Sequence, residues 1–103
     1  MIERHWKGIA KFDEADNYVK HLRDDTFPTL ESIPGFVRAT ILKRTVVSGI
    51  EFLIITVWES YESIKQFAGS QVAVAVVPEV VWKMMIKFDS EVLHYEVVRV
   101  AVN

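Results

Sequence analysis

The stretch that decides the fold reads Phe52-Leu53-Ile54-Ile55-Thr56-Val57-Trp58, and it is apolar at every position but one. A strand with one face in water alternates apolar and polar side chains, whereas this strand offers apolar side chains to both faces of its sheet. The segment Val97–Val102 is similar. The helices of so short a chain cover only one face of a sheet, so the other face needs a further partner. We therefore predict a homodimer in which a second copy packs sheet to sheet.

The chain before this strand predicts one strand and one long helix. Ile2–Ile9 mixes β-branched, aromatic and charged residues, which is typical of a strand. Apolar residues then recur at helical spacing through Asp13–Ile33. Pro28 lies inside this pattern and removes an amide donor, so we expect a kink near Asp24 or Asp25.

The rest of the chain completes an antiparallel fold. The further predicted elements are strands Phe36–Val46 and Glu51–Trp58, a helix from Ser60 to Gly69, a third helix from Pro78 to Phe88 and a closing strand Leu93–Val102. The order is βαββαβ with one helical insertion. It predicts an α+β protein, a single ferredoxin-like domain over residues 1–103 with a four-stranded antiparallel sheet and helices on one face.

The composition excludes several classes of protein. Half of the 103 residues are hydrophobic and a quarter are charged, which excludes a disordered chain. Cysteine is absent, which excludes disulfide scaffolds and thiolate chemistry and fits a reducing compartment. A formal charge of −2 gives no electrostatic basis for binding nucleic acid or an anionic membrane. The first residues lack a signal-peptide core and the longest uncharged stretch, Gln66–Pro78, is too short to cross a bilayer, so we expect a cytoplasmic protein.

The first and last strands contain the polar side chains best suited to catalysis. These strands are antiparallel neighbours in this fold, so His5 is expected near His94, Tyr95 and Glu96. His94 and Glu96 share one face because side chains alternate along a strand, and such a pair beside a cavity would act as a general base. The alternative is that they are solvated or cross-strand partners. Two histidines and a carboxylate could bind a metal, but their spacing is not that of a metal site, and we predict none.

A second candidate region is the apolar segment Val72–Trp82. A tryptophan on a short helix after a valine-rich loop covers a cavity or lies at an interface. We predict that Trp58 and Trp82 wall one hydrophobic chamber, and that Val74 and Tyr95 also contact a small apolar or aromatic molecule there. The alternative for Trp58 is a large side chain of the core.

Four basic residues lie on the predicted strands, namely Arg4, Lys43, Arg44 and Arg99. Any of them that points inward would suit an anionic ligand. Basic residues on strands more commonly extend to solvent or prevent edge pairing.

Six short stretches together resemble a known family, and they are Arg4–Gly8, Pro34-Gly35, Phe52–Ser60, Ile64–Gly69, Ala75–Pro78 and His94–Val97. They are similar to the antibiotic biosynthesis monooxygenase domain family, over nearly the whole chain. The resemblance implies a dimeric α+β barrel, in which two ferredoxin-like sheets pack face to face. Members of the family include cofactor-independent oxygenases of aromatic polyketides, haem-degrading enzymes and proteins with no assigned activity.

Residue by residue, the resemblance implies a functional role for Trp58 alone. Both the polyketide oxygenases and the haem degraders have a functional tryptophan at this position. The oxygenases also use an asparagine and a tyrosine where this chain has Ile54 and Ile64. The haem degraders use a histidine on the helix after the third strand, and no histidine occurs between His21 and His94.

These observations leave four functions open. The first is a monooxygenase of a small planar aromatic or quinol-like compound that needs no cofactor, with His5 or His94 as base and Trp58 as a stacking wall. The second is a non-catalytic small-molecule-binding or structural dimer, favoured by the missing asparagine and tyrosine. The third is an engineered variant with a redesigned apolar pocket, because the family has charged residues near Ala73 and Val74. A haem-dependent enzyme ranks fourth.

Overall fold

The fold is an antiparallel sheet with helices packed on one face. A computed structural model describes Met1–Asn103. Its elements, in chain order, are β1 (Ile2–Ala10), a 3-10 turn (Phe12–Glu14), α1 (Ala15–His21), a π-helix (Leu22–Thr26), α2 (Phe27–Glu31), β2 (Phe36–Thr45), β3 (Ile50–Trp58), α3 (Tyr61–Ala68), α4 (Glu79–Trp82), β4 (Met85–Phe88) and β5 (Leu93–Glu96). None of the helices combines the length and the apolar character needed to span a membrane.

The strand order confirms the predicted ferredoxin-like α+β topology. The strands are arranged β2-β3-β1-β4, and β5 also pairs with β1. The predicted fourth strand is therefore shared by two short strands, β4 against Gly8–Ala10 and β5 against Ile2–His5. The Asp89 amide still donates to the Lys7 carbonyl of β1 at 2.9 Å. Residues 90–92 bond instead to the preceding loop, where the Val92 amide donates to the Ala73 carbonyl at 2.8 Å.

At the place where the sequence predicts a kink, the first long helix is interrupted by a π-helix. The backbone widens over Leu22–Thr26 and returns to an α-helix that has Pro28 in its first turn. The wider turn moves the Asp24 carbonyl out of the position where the proline ring would collide with it. The Thr29 hydroxyl donates to the Asp25 carbonyl at 3.1 Å and so supplies one of the bonds that the interrupted helix lacks.

The predicted ends of α3 are confirmed. The Ser60 hydroxyl accepts a hydrogen bond from the Ser63 amide at 3.3 Å, which is the N-cap contact. Gly69 ends the helix with a φ of 80°, a conformation that favours glycine.

The predicted third helix is wrong over most of its length. Only Glu79–Trp82 is helical, and Met85–Phe88 forms strand β4. A short apolar run suits either a helix or a strand, and its surroundings decide between them. Here the open edge of β1 supplies backbone hydrogen-bond partners, and pairing with that edge stabilises the extended form.

The predicted closing strand is too long, because β5 ends at Glu96 rather than Val102. Glu96 pairs with Ile2, and the last backbone bond joins the Val97 amide to the Met1 carbonyl. Since β1 starts at Ile2, no strand remains for the following residues to pair with. Val98 is accordingly 96% exposed.

The two faces of the sheet differ in burial, as the apolar sequence of β3 predicts. Phe52, Ile54 and Trp58 point to the helices and are buried. On the other face Val57 is buried near the end of β3, but Leu53 and Ile55 are only half-buried and Leu42 beside them is exposed. One apolar face of this sheet is therefore covered by helices and the other lacks a cover.

Candidate functional site

A cavity of about 80 Å³ lies between the covered face of the sheet and the helical segment 15–31. Eleven of its sixteen lining residues are hydrophobic. The lining comes from β1, β3, the long helical segment, α3, α4 with the loop before it, and the residue that precedes β5. It consists of Arg4, Trp6, Tyr18, His21, Leu22, Thr26, Phe27, Leu30, Ile54, Thr56, Phe67, Val76, Val77, Pro78, Val81 and Val92.

Arg4 is the single charged side chain of fixed sign in this lining. It is 5% exposed, because alternation along β1 places it on the same face as Ile2 and Trp6. Its guanidinium donates to the carbonyls of Val72 and Val74 and forms no ion pair with a carboxylate. Burial lowers the pKa of Arg4 to about 10, so at neutral pH the group is a buried cation.

His94 is the neighbour of Arg4 on β5. Its Nε2 lies 3.0 Å from Arg4 Nη1, and its pKa is lowered, first by burial and then by the charge of Arg4. The imidazole is therefore neutral at physiological pH, and Nε2 accepts the hydrogen bond from the guanidinium. The Tyr61 ring packs edge-on against it at 5.6 Å.

His21 is the second titratable nitrogen base of the site. It is the last residue of α1, where the π-helix begins, and π-helical turns frequently occur at functional sites. Its Nδ1 lies 3.2 Å from the Asp25 Oδ2, while its buried Nε2 has no hydrogen-bond partner. A carboxylate beside Nδ1 favours the tautomer that leaves the Nε2 lone pair free.

Three hydroxyl groups complete the polar part of the lining, those of Tyr18, Thr26 and Thr56. Burial raises the pKa of Tyr18 far above its usual value, so its phenol stays protonated. The Thr56 hydroxyl accepts a hydrogen bond from the Trp58 indole at 2.9 Å, which leaves its own proton available to another acceptor.

The two predicted pocket tryptophans do not line this cavity. Trp58 is fully buried in a separate apolar cluster with Ile2, Leu30 and Ile64. Trp82 is 53% exposed, and its indole donates to the Val77 carbonyl. The prediction that the two rings wall one chamber is corrected, because Trp58 packs into the core and Trp82 lies on the surface of a one-turn helix.

The predicted polar set is divided between the two faces of the sheet. His5 and Tyr95 lie on the uncovered face with their rings 4.9 Å apart, and His5 pairs with Glu3 at 2.9 Å. His94 lies on the covered face beside Arg4, and Glu96 is exposed at the end of β5. His5 and His94 are thus not brought together. No group of three or more histidine, aspartate or glutamate side chains in the chain could hold a metal ion.

Val74 contributes its backbone rather than its side chain. Its carbonyl accepts from Arg4 Nη2 at 3.1 Å, while the residue is exposed and pairs with Glu91. The segment around it therefore covers the buried guanidinium.

The structure brings together Arg4, which the sequence offered as one of four basic strand residues suited to an anionic ligand, and His21, which was not among the predicted site residues. The signal for Arg4 was present, because Ile2, Trp6 and Ala10 have the same parity in β1 and mark the face on which Arg4 lies. His21 follows Tyr18 by three positions and so shares its helix face. Nothing local showed that these two surfaces enclose the same cavity.

Solved structures share this architecture. A protein of Deinococcus radiodurans, provisionally named an antibiotic biosynthesis monooxygenase, matches with a TM-score of 0.70 and 15% identity over 100% of this chain and 97% of its own. The heme-degrader MhuD of Mycobacterium tuberculosis, solved with two hemes bound in its active site, matches with a TM-score of 0.61 and 19% identity over 99% and 100%. A dimeric ferredoxin-like protein of an uncultured marine organism matches with a TM-score of 0.60 and 16% identity over 99% and 98%.

The chain has the fold of the antibiotic biosynthesis monooxygenase and dimeric ferredoxin-like proteins. At these identities the likeness shows the fold alone. No protein-family profile and no curated protein matches the sequence.

Proposed function

We propose that the protein is a cofactor-independent monooxygenase of a small planar aromatic or quinol-like compound, bound in the cavity above the sheet. The observation that supports this most is the lining, in which a buried cation, Arg4, and an unpartnered imidazole, His21, lie among apolar walls. A site of this kind removes water from a substrate, orients it and accepts its proton. The name of the Deinococcus radiodurans protein with the same fold agrees with such an activity.

His21 is the proposed base in place of His5 or His94. His5 lies on the uncovered face, and the Nε2 lone pair of His94 is used by Arg4. His21 lines the cavity with Nε2 free, and Asp25 beside Nδ1 would stabilise the imidazolium formed when it takes a proton.

The reaction can be written for hydroquinone, a single-ring substrate. His21 accepts a phenolic proton, and the phenolate transfers an electron to O₂. The two radicals combine to form a C–O bond beside the phenolate carbon. The His21 imidazolium returns its proton to the peroxide anion that this bond creates, which gives a hydroperoxide and the neutral imidazole. Loss of water from the hydroperoxide breaks the O–O bond and the C–H bond, which leaves hydroxybenzoquinone. Overall, hydroquinone and O₂ give hydroxybenzoquinone and water, with four electrons passing from the ring to oxygen.

The volume of the cavity sets the size of the proposed substrate. About 80 Å³ corresponds to roughly five water-sized volumes at about 15 Å³ each, which suits one ring. Pockets for larger organic ligands reach about 300 to 1,000 Å³, so the cavity does not fit a porphyrin and we derive no step through haem. An unchanged Soret band after mixing the protein with haem would agree with this.

A non-catalytic small-molecule-binding dimer is the second candidate. It is favoured because Ile54 and Ile64, at the positions where the resemblance expects polar groups, lie in apolar clusters. A homodimer is proposed under either function, because the uncovered face needs a partner and a protein of the same fold is described as dimeric. The lack of cysteine fits a cytoplasmic location.

The experiment that separates the two candidates supplies hydroquinone and ¹⁸O₂ and analyses the product by mass spectrometry. The monooxygenase predicts one labelled oxygen in hydroxybenzoquinone, formed faster than in buffer. His21→Gln should lower kcat by about a hundredfold, whereas Lys20→Gln, on the exposed side of the same helix, should keep it. Hydroquinone that binds but is consumed at the rate seen in buffer would instead identify the binding dimer.

A further inference from the structure

The side chains that line the cavity carry a net positive charge. Arg4 is the one lining residue with a permanent charge, and no aspartate or glutamate lines the cavity. None of the five ion pairs of the protein involves Arg4. A buried charge without a counter-ion is costly in a low-dielectric environment. A bound anion would compensate it.

The neighbours of Arg4 supply dipoles but no negative charge. Its contacts are two backbone carbonyls, the neutral imidazole of His94 and the face of the Phe67 ring, 5.9 Å from the guanidinium carbon. A guanidinium has five N–H donors, and protein acceptors bond to three of them. Two donors therefore remain for a ligand oxygen.

His21 adds a proton acceptor to the same cavity. Its Nε2 is shielded from solvent and unpartnered, and an unpaired buried polar atom is destabilising unless a ligand satisfies it. A ligand hydroxyl would donate to Nε2. Transfer of that proton gives an oxyanion and an imidazolium, the first stabilised by Arg4 and the second by Asp25, whose carboxylate lies 3.2 Å from Nδ1.

The aromatic side chains of the lining indicate that the apolar part of the ligand is an aromatic ring. Four aromatic side chains line the cavity, from Trp6, Tyr18, Phe27 and Phe67. Aromatic walls stabilise an aromatic ring by stacking and edge contacts, and the volume restricts the ligand to one ring.

We propose that Arg4 and His21 form a recognition site for single-ring phenols, which the cavity binds as phenolates. This deepens the proposed function and rests on it only for the location of the site. The titratable groups that face the ligand are Arg4, His21 and Tyr18 from the lining, with Asp25 and His94 directly behind them.

The test uses 4-nitrophenol, whose phenolate absorbs visible light and whose phenol does not. Titration of the probe in an excess of wild-type protein should show a midpoint at least about one pH unit below that of the free probe. Nitrobenzene, which lacks the hydroxyl, should bind about tenfold more weakly or worse at neutral pH. Equal affinities for the two probes, or a midpoint that is unchanged or raised, would overturn the proposal.

Substitutions of Arg4 and His21 test whether these two residues cause the binding of 4-nitrophenol as its phenolate. Arg4→Met should weaken 4-nitrophenol binding about tenfold or more and leave nitrobenzene binding largely unchanged. His21→Gln should return the bound midpoint toward the free value. Arg44→Met and Lys20→Gln are matched controls at exposed positions and should behave as wild type. A loss that is the same for both probes would contradict recognition of the anion by Arg4.

The wild-type titration needs no variant, so the result does not depend on whether Arg4→Met folds. Binding of the phenolate, with no ¹⁸O incorporated when hydroquinone and ¹⁸O₂ are supplied, would refute the monooxygenase and still support the phenolate site. Labelled product together with equal binding of 4-nitrophenol and nitrobenzene would support the monooxygenase and refute the phenolate site.

Discussion

Arg4 and His94 lie directly opposite each other on β1 and β5, with Arg4 Nη1 3.0 Å from His94 Nε2. This contact places a cation beside an imidazole, so the folded protein disfavours a proton on His94. Burial acts in the same direction and is the larger cause of the lowered pKa.

Stability should therefore fall in mild acid. His94 has a usual pKa of 6.5 in the unfolded chain and a lower pKa in the fold, so between these values the unfolded state binds more protons. The contribution of His94 is fully present above pH 6.5 and is lost as the pH falls toward the folded pKa. Chemical denaturation across this range should show the slope, and His94→Gln should reduce it.

The same contact can be tested by NMR titration of the imidazole. Removing the neighbouring charge with Arg4→Met should raise the His94 pKa toward its usual value, because one of the two causes of the shift is gone. Arg44→Met, at an exposed position of β2, should leave it as in the wild type. A wild-type pKa for His94 at or above 6.5 would show that the contact does not form in solution.

The tryptophans should differ sharply in their contribution to stability. Trp58→Ala should lower the free energy of unfolding by about 3 to 5 kcal/mol, because the ring is fully buried between Phe36 and Phe67. Trp82→Ala should cost about 1 kcal/mol or less, since this side chain is more than half exposed. Urea denaturation measures both, and equal losses would place Trp82 in a buried interface.

The uncovered face should bring two copies together. Sedimentation equilibrium at micromolar concentration should show a dimer, and Ile55→Glu in the middle of β3 should give a monomer with an unchanged circular dichroism spectrum. Val47→Glu, in the fully exposed hairpin loop, should remain a dimer. A wild-type protein that is monomeric at these concentrations would contradict the proposed assembly.

Two glycines allow backbone strain to be separated from a steric clash. Gly35 and Gly69 both have positive φ, 92° and 80°. A Cβ at Gly69 meets nothing within 4 Å, whereas one at Gly35 would lie 1.9 Å from the Ser63 hydroxyl. Gly69→Ala should cost about 1 to 3 kcal/mol, and Gly35→Ala should cost more. Equal losses in thermal unfolding would mean that Ser63 moves aside without cost.

The element order was accessible from the sequence because the relevant signals are local. The Ser60 cap and the Gly69 stop depend on residues a few positions apart, and the helix is distorted in the turn directly before Pro28. The strand over residues 52–58 predicted two apolar faces, and the structure leaves one of them without a cover.

The two wrong secondary-structure predictions, the third helix and the length of the closing strand, concern segments whose conformation depends on pairing with β1, which is distant in the chain. Met85–Phe88 has no strong preference, and the open edge of β1 makes it a strand. Leu93–Val102 is uniformly suited to a strand, but pairing ends where β1 ends, at Ile2.

The sequence by itself determined the fold class, because hydrophobic periodicity and capping residues act within a few positions of the chain. Only the tertiary structure decided the candidate site. The contact that buries Arg4 spans 68 residues to Val72, and it joins the first strand of the chain to the loop between α3 and α4. Arg4 and His21 each share a face with core residues of their own element. Packing alone made those two faces the walls of one cavity.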